Sequence, residues 1–245
     1  MKKERIDRLL MEKGLAESRS KAQALIMAGV VLVDEKRVEK PSESFPATSQ
    51  IRIKGESPES RYASRGGLKL EAALDHFQID PKGYRCLDVG SSTGGFTEVL
   101  LLRGAAHVYA VDVGHGQLHP KVAGDARVTN LEGTDARSLN ATLVPQPADL
   151  LVSDVSFISL KLVLPAAVAL LKPRAALAVL VKPQFEAGRA HVKKGIVRDE
   201  AVHRAVCESI ADFVASLGFT PLGLVPSPIA GGDGNREFLL GARRD

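Results

Sequence analysis

The apolar residues near the start of the chain recur at helical spacing. Ile6, Leu9 and Leu10 occupy positions i, i+3 and i+4 within residues 5–13, and Gly14 follows directly. This spacing places the three apolar side chains on one face of a helix. Because glycine readily adopts the left-handed backbone that closes many helices, the helix is predicted to end at Gly14.

A second helix and two short strands complete the N-terminal pattern. Ser18 has the hydroxyl expected of an N-cap, and Gly29 stands where the helix would end. The apolar face of this helix consists of Ala22, Leu25 and Ile26. Strands are predicted at residues 30–33 and 51–53, separated by a charged turn and a passage rich in proline and serine. The pattern indicates a small α+β module.

The remainder of the chain alternates short apolar runs with helical patterns. Four such runs lie at residues 84–89, 109–112, 150–154 and 175–181. Strands that alternate with helices form parallel sheets covered on both faces. Only 4% of the residues are aromatic, so the core is expected to consist of Leu, Val, Ala and Ile. We therefore predict an α/β fold with a Rossmann-like sheet behind the small module.

The positive charge of the chain is concentrated in its N-terminal quarter. Residues 1–69 contain 15 Lys and Arg against 10 Asp and Glu, whereas residues 70–245 contain 18 against 19. This excess favours RNA as a partner, because lysine and arginine neutralise backbone phosphates. The candidate RNA-binding residues are Arg5, Arg8, Arg19, Lys21, Lys36, Arg37 and Arg65. The alternative is that these charges only form the solvated faces of small helices.

Secreted, metal-binding and membrane-spanning proteins are disfavoured by the sequence. Cys86 and Cys207 are the only cysteines and form no CxxC pair, so neither a disulfide framework nor a metal site is expected. The charged N-terminus lacks the apolar run of a signal peptide. The longest apolar stretches are interrupted at residues 172–174, so no membrane span is expected. These features fit a cytoplasmic protein.

The N-terminal motifs resemble the RNA-binding module first described in ribosomal protein S-four. The blocks Ser-Arg-Ser-x-Ala, at residues 18–22, and Ala-Gly-x-Val, at 28–31, match that module in order and spacing. A unit of this size buries little surface and usually serves to present one. The resemblance implies an RNA-binding domain at residues 1–58, followed by a linker at 59–64 and a second domain at 65–245.

A glycine-containing loop follows the first strand of the larger domain. The order Asp88, Gly90, Gly94, Gly95 differs from dinucleotide-binding loops and from P-loops, and resembles the loop of S-adenosylmethionine enzymes. Asp112 ends the next strand, where a carboxylate can accept ribose hydroxyls. The predicted cofactor-binding residues are Asp88, Gly90, Ser91, Ser92, Gly94, Gly95, Phe96, Asp112, Val113, Thr134, Asp135 and Asp154. The alternative is that these segments are ordinary turns at the sheet edge.

Four charged residues occupy positions that need a chemical explanation. Asp154 ends one predicted strand and Lys182 follows another, both at the carboxyl edge of the sheet, where open α/β sheets place their chemistry. Lys69 lies at the start of a helix before the first strand, and Glu237 lies within an apolar strand pattern. Together they resemble the Lys-Asp-Lys-Glu tetrad of the FtsJ-like ribose methyltransferases.

The whole chain resembles the TlyA family, ribosomal-RNA ribose 2′-O-methyltransferases that are often named hemolysins. The block Ser-Asp-Val-Ser-Phe-Ile at residues 153–158 also matches. The resemblance implies S-adenosylmethionine as the cofactor, ribosomal RNA or ribosomal subunits as the partner, and no metal. It assigns Lys182 as the base that takes the ribose proton and Asp154 as the residue that orients it. Lys69 and Glu237 would position the ribose.

Three alternatives stay open at the level of the sequence. The first is a protein that binds S-adenosylmethionine or RNA without catalysis, and the occupied tetrad counts against it. The second is a membrane-active protein, as the hemolysin name suggests, but no segment is amphipathic and long enough to form a pore. The third is methylation of a base. The absence of a Pro-Pro motif after Asp154 and the presence of two lysines argue against that target.

Overall fold

The computed structural model describes residues 3–16, 18–27, 29–53, 62–231 and 234–245. The chain forms two compact units, residues 1–61 and 62–245. The predicted linker straddles this boundary, and its first three residues lie outside the described ones. Tyr62 is 8% exposed and belongs to the core of the second unit, and the backbone N–H of Ala63 donates to Glu98.

The first unit packs two helices against two small antiparallel sheets. Its elements are β1 (Lys3–Arg5), α1 (Ile6–Glu12), α2 (Arg19–Met27), β2 (Val31–Val33), β3 (Lys36–Arg37), β4 (Ser44–Pro46) and β5 (Ile51–Ile53). Strand β2 lies between β3 and β5, and β1 pairs with β4. Both predicted helices and their apolar faces are confirmed. Gly14 and Gly29 have φ of +70°, and Ser18 Oγ accepts the N–H of Lys21 at 3.2 Å.

The second unit is built on a seven-stranded sheet. Its strands are β6 (Arg85–Val89), β7 (His107–Asp112), β8 (Val128–Glu132), β9 (Ala148–Ser153), β10 (Leu171–Val181), β11 (Thr220–Pro226) and β12 (Phe238–Arg244). The strand order is β11-β12-β10-β9-β6-β7-β8. Strand β12 is antiparallel to both of its neighbours, and the other pairs are parallel. The predicted α/β class is confirmed.

Helices cover both faces of this sheet. They are α3 (Gly66–His76), α4 (Gly95–Leu102), α5 (Pro120–Ala123), α6 (Leu160–Val168), α7 (Pro183–Glu186) and α8 (Glu200–Ser216). Successive strand residues point to opposite faces, so Cys86 packs with the core beneath α3 and α4 while Leu87 packs with the core beneath α6 and α8. Because β6, β7, β9 and β10 run parallel to one another, their carboxyl ends meet at one edge of the sheet.

Two expectations about local structure were wrong. Glu237 directly precedes β12 instead of lying within it. The strand predicted at residues 175–181 begins earlier, at Leu171, so β10 includes residues 172–174, and its pairing with β9 shifts register between Leu171 and Ala176. The irregular ladder accommodates the two basic residues and the proline there. Among the described residues, no helix combines the length and apolar character needed to cross a bilayer.

Candidate active site

The four charged residues identified in the sequence, called the charged cluster below, lie together at the carboxyl edge of the sheet. The ammonium of Lys69 is 2.6 Å from Glu237 Oε2 and 3.7 Å from Asp154 Oδ2. Lys182 Nζ is 2.6 Å from Asp154 Oδ1. Asp154 therefore lies between two ammonium groups. Lys69 lies in helix α3, Asp154 and Lys182 directly follow β9 and β10, and Glu237 directly precedes β12.

Three of the four members are almost completely removed from water, while Asp154 is partly exposed at the pocket wall. Lys69, Lys182 and Glu237 are 7%, 8% and 4% exposed. Burying a single unpaired ammonium or carboxylate costs several kcal/mol, so such groups persist only with partners of opposite charge. Two lysines and two carboxylates meet this condition, because each positive group contacts a negative one. The pairing explains how four charges fit at the edge of an apolar core.

Lys182 has a second polar contact that sequence reasoning missed. Its Nζ donates a hydrogen bond to Ser156 Oγ at 2.8 Å. Its contact with Asp154 is short enough for an ion pair, but the angles are not those of a hydrogen bond. Ser156 is exposed and lines the pocket beside the cluster. A hydroxyl at the pocket surface thus orients a buried ammonium. The Ser-Asp-Val-Ser-Phe block, which contains this residue, was the available signal.

An open pocket of about 450 Å³ lies beside the charged cluster. Its size falls within the range of small-molecule sites, roughly 300–1,000 Å³. The predicted cofactor residues that line it are Gly90, Ser92, Asp112, Val113, Thr134, Asp135 and Asp154. The predicted cofactor residues that are buried outside the lining are Asp88, Ser91, Gly94, Gly95 and Phe96. The residues of the second group are buried in or behind the glycine loop and do not face the pocket.

The glycine loop bends closely around the ends of β7 and β9. Gly90 has φ of +87°, and a Cβ there would lie 2.8 Å from the carbonyl oxygen of Asp154. Glycine is therefore required at this position. Asp112 accepts the backbone N–H groups of Ser92 and Gly114, each at 2.8 Å. The acid expected to meet ribose hydroxyls thus also organises the loops on both sides of it.

Asp88 is fully buried behind this loop and is incompletely hydrogen-bonded. Thr97 donates to its Oδ2 at 2.6 Å, while its Oδ1 has no partner within the described residues. The same is true of Ser91 Oγ and Ser153 Oγ. Burial raises the pKa of the Asp88 carboxyl to about 7, and the negative charge of Asp154 adds to the rise. The hydrogen bond from Thr97 acts in the opposite direction and lowers this pKa. Buried polar atoms usually have partners, so these three fit a site that receives a polar ligand or ordered water.

The far side of the pocket carries an ion pair. Asp135 accepts hydrogen bonds from the side chain of Arg137 and from its backbone N–H. The guanidinium holds the pKa of the Asp135 carboxyl down at about 2. The pocket edge therefore presents an ionised Asp135 bound to Arg137.

Phe157 is a second feature that sequence reasoning missed. Its side chain is 91% exposed, and its backbone has φ of +65°, a conformation that is costly for a non-glycine residue. Its ring centroid lies 5.1 Å from that of Phe185. Phe157 lines both the pocket and a neighbouring groove of about 820 Å³ that also contains Arg137 and Arg189. The ring of Phe157 is thus exposed to solvent next to Ser156.

The candidate RNA-binding residues fall into two groups. Four are exposed on the first unit, namely Arg8, Lys21, Lys36 and Arg37. Arg5 and Arg19 reach the surface of the same unit but pair with the buried Asp7. Arg65 is exposed on the second unit, directly before α3.

Known families and relatives match nearly the whole chain. Residues 62–244 match the family described as FtsJ-like methyltransferase, and residues 4–47 match the S4 domain. YqxC of Bacillus subtilis (strain 168) is 50% identical over 98% of this chain and 85% of its own length. The 16S/23S rRNA (cytidine-2′-O)-methyltransferase TlyA of Mycobacterium tuberculosis (strain ATCC 25618 / H37Rv) is 44% identical over 98% of this chain and 89% of its own. A solved, hemolysin-named structure from Streptococcus thermophilus has a TM-score of 0.75 at 43% identity, covering 100% of this chain and 89% of that one.

Proposed function

Since this chain belongs to the FtsJ-like methyltransferase family and matches the S4 domain at its N-terminus, we propose that it methylates a ribose 2′-hydroxyl of ribosomal RNA with S-adenosylmethionine. The observation that carries the proposal is the charged cluster of Lys69, Asp154, Lys182 and Glu237 beside a pocket of cofactor size. The relative TlyA is named for cytidine 2′-O-methylation, so a cytidine ribose is the first target to test.

The pocket residues suit the proposed cofactor. S-adenosylmethionine would supply a methyl group activated by its positive sulfonium. Asp112 offers carboxylate oxygens at the pocket wall for the ribose hydroxyls, and Asp135 with Arg137 would face the adenine. The unpartnered atoms of Asp88 and Ser91 lie outside the pocket lining, so they would reach the polar methionine end through a water molecule.

The charged cluster supplies the groups that removal of a hydroxyl proton requires. We propose that Lys182 accepts the proton and that Asp154, 2.6 Å away, stabilises the ammonium that forms. Ser156 fixes the direction of Nζ. On the other side of Asp154, Lys69 contacts it at 3.7 Å and is itself held by Glu237, and we propose that Lys69 and Glu237 position the ribose.

We propose that the first unit binds ribosomal RNA through its exposed cations. Arg8, Lys21, Lys36 and Arg37 would contact backbone phosphates, which orient a protein on RNA without reading its sequence. Arg65, directly before the helix that carries Lys69, would contact the RNA close to the modified nucleotide. A ribosomal substrate implies that the protein works in the cytoplasm.

The test is transfer of labelled methyl groups to 16S and 23S ribosomal RNA and to intact ribosomal subunits. The expected product carries a 2′-O-methyl group, which blocks alkaline cleavage at the modified nucleotide and identifies its position. A matched RNA with 2′-deoxyribose at that position should take up no label. Label retained in the deoxy RNA would indicate base methylation and contradict the proposal, as would the absence of transfer to any of these substrates.

A further inference from the structure

Asp7 is a buried carboxylate in the first unit whose partners reach the surface. It lies in the first turn of α1 and is 0% exposed. Arg5 donates to both of its oxygens, through Nε at 3.0 Å and Nη2 at 2.9 Å. Arg19 Nε donates to Oδ2 at 3.0 Å, and Gln23 Nε2 donates to the same oxygen at 3.3 Å. Two guanidinium groups therefore converge on one oxygen atom.

Only part of each guanidinium is used by this contact. A guanidinium has five N–H donors arranged as a rigid fork. Within the described residues, Arg5 directs Nε and Nη2 to Asp7, and Arg19 directs Nε. Their side chains are still 41% and 56% exposed. The remaining N–H groups are thus available to a ligand that offers oxygen acceptors.

The charges of this group suit a phosphate diester. Two arginines and one carboxylate leave a net charge of one positive unit, which matches the single negative charge of a backbone phosphate. Arg5 and Arg19 hold the pKa of Asp7 well below its usual range, so the carboxylate stays ionised. Arginine forks bind phosphate oxygens in a directed, often bidentate manner. The two guanidinium groups are therefore held by the buried Asp7 on one side and exposed to solvent on the other.

We propose that Asp7 is a positioning residue that holds Arg5 and Arg19 together as a clamp for one backbone phosphate of RNA. This inference rests on the proposed function and deepens it by naming a phosphate site and the residue that builds it. An arginine that is already immobilised loses less side-chain freedom on binding. Preordering is worth roughly two- to tenfold in affinity for each side chain.

Removal of Asp7 would change RNA binding differently if Asp7 acted only through its charge, only through packing, or as part of the clamp. If only total charge mattered, removing Asp7 would strengthen RNA binding, because the unit would gain one positive charge. If Asp7 only fastened α2 to α1, its removal would lower the stability of the unit and would affect RNA binding independently of Arg5 and Arg19. The clamp predicts weaker RNA binding that depends on those two arginines.

The first experiment compares Asp7→Asn with Glu12→Gln in the full chain, using 16S and 23S ribosomal RNA as probes over a range of salt concentrations. Both changes remove one negative charge from α1, but Glu12 is exposed. Asp7→Asn should weaken binding about tenfold and make it less salt-dependent, whereas Glu12→Gln should leave it unchanged or strengthen it up to about twofold. Equal affinities for the two variants would overturn the clamp. If the wild-type protein bound neither RNA, the proposed function itself would fall, and the clamp with it.

The second experiment separates positioning from a general structural role. Asp7→Asn is added to the double variant Arg5→Gln/Arg19→Gln, with thermal unfolding measured on the same samples. The triple variant should bind RNA no more weakly than the double variant, since Asp7 acts through the two arginines. It should also unfold at a higher temperature, because a buried unpaired carboxylate has been removed. A further loss of about tenfold would overturn the positioning role.

Discussion

The two units of this protein use buried carboxylates in different ways. In the second unit, Asp154 and Glu237 pair with Lys69 and Lys182, which are themselves buried. In the first unit, Asp7 pairs with arginines whose other donors face solvent. A lysine can release and regain a proton, whereas an arginine stays charged. The first arrangement suits proton transfer in an enclosed site, and the second suits the capture of an anion.

The strongest test of this contrast is Lys182→Ala. Methylation should fall by about a thousandfold, in the range expected for loss of a general base, while cofactor affinity changes little. Lys172→Ala is the matched control, because Lys172 lies on β10, the strand that Lys182 directly follows, and pairs with Asp149 at 2.6 Å. Single-turnover methylation and cofactor titration measure the two quantities. Wild-type rates for Lys182→Ala would remove the proton-transfer role.

The next test concerns Glu237, the partner of Lys69. Glu237→Gln leaves a buried ammonium with Asp154 alone at 3.7 Å, so the free energy of unfolding should fall by about 3 kcal/mol. The double variant Lys69→Met/Glu237→Leu should recover much of this stability without recovering methylation. Denaturant unfolding and the methylation assay are run on the same samples. A stable double variant that is fully active would show that the pair serves only packing.

Asp88 gives a pH-dependent prediction of intermediate size. The pKa of its carboxyl in the folded protein is about 7, against an ordinary value of 3.8. The protonated group favours the folded state most at low pH, and this contribution is lost as pH rises through 7. Asp88→Asn should therefore raise the melting temperature of the cofactor-free protein more at pH 8 than at pH 5. Asp212→Asn, outside the buried core, is the control. A shift of equal size at both pH values would contradict the assignment.

The smallest expected effect separates anchored from unanchored arginines in the first unit. Arg8 is exposed and has no ion pair within the part of the chain that the structure describes. Arg8→Gln should weaken binding of ribosomal RNA only about two- to threefold and lower its salt dependence by about one phosphate contact. Arg5→Gln should cost several times more, because it also removes part of the clamp. Filter binding at several salt concentrations measures both. If both variants lost the same RNA affinity, pairing with Asp7 would make no difference to how an arginine binds RNA.

The fold and the edge that carries the site were predictable from the sequence because they follow from periodic patterns. Parallel strands alternate with helices, and their carboxyl ends meet at one edge, so Asp112 and Asp154 were expected there. Contacts between distant residues leave no such periodic trace. Lys69 and Glu237 are separated by 168 positions, and only the family resemblance indicated that they act together.

Local features were missed for two physical reasons. Asp7 looks like an ordinary acid in the first turn of a helix, and its partners Arg19 and Gln23 lie 12 and 16 positions away. Strands β1 and β4 are only three residues long, too short for a measurable alternation of apolar and polar residues. Asp88 and Phe96 were assigned to the cofactor from their loop, which cannot distinguish residues that line a pocket from residues beneath it.

The interior position of β12 affects when the site is completed during synthesis. This strand follows all the others in the chain, yet it inserts between β10 and β11, and Glu237 directly precedes it. A chain that ends before residue 237 therefore leaves Lys69 without its 2.6 Å carboxylate partner and leaves β10 without an antiparallel neighbour. We expect such truncated chains to lack methyl transfer, so the activity would begin only after β12 has been synthesised and inserted.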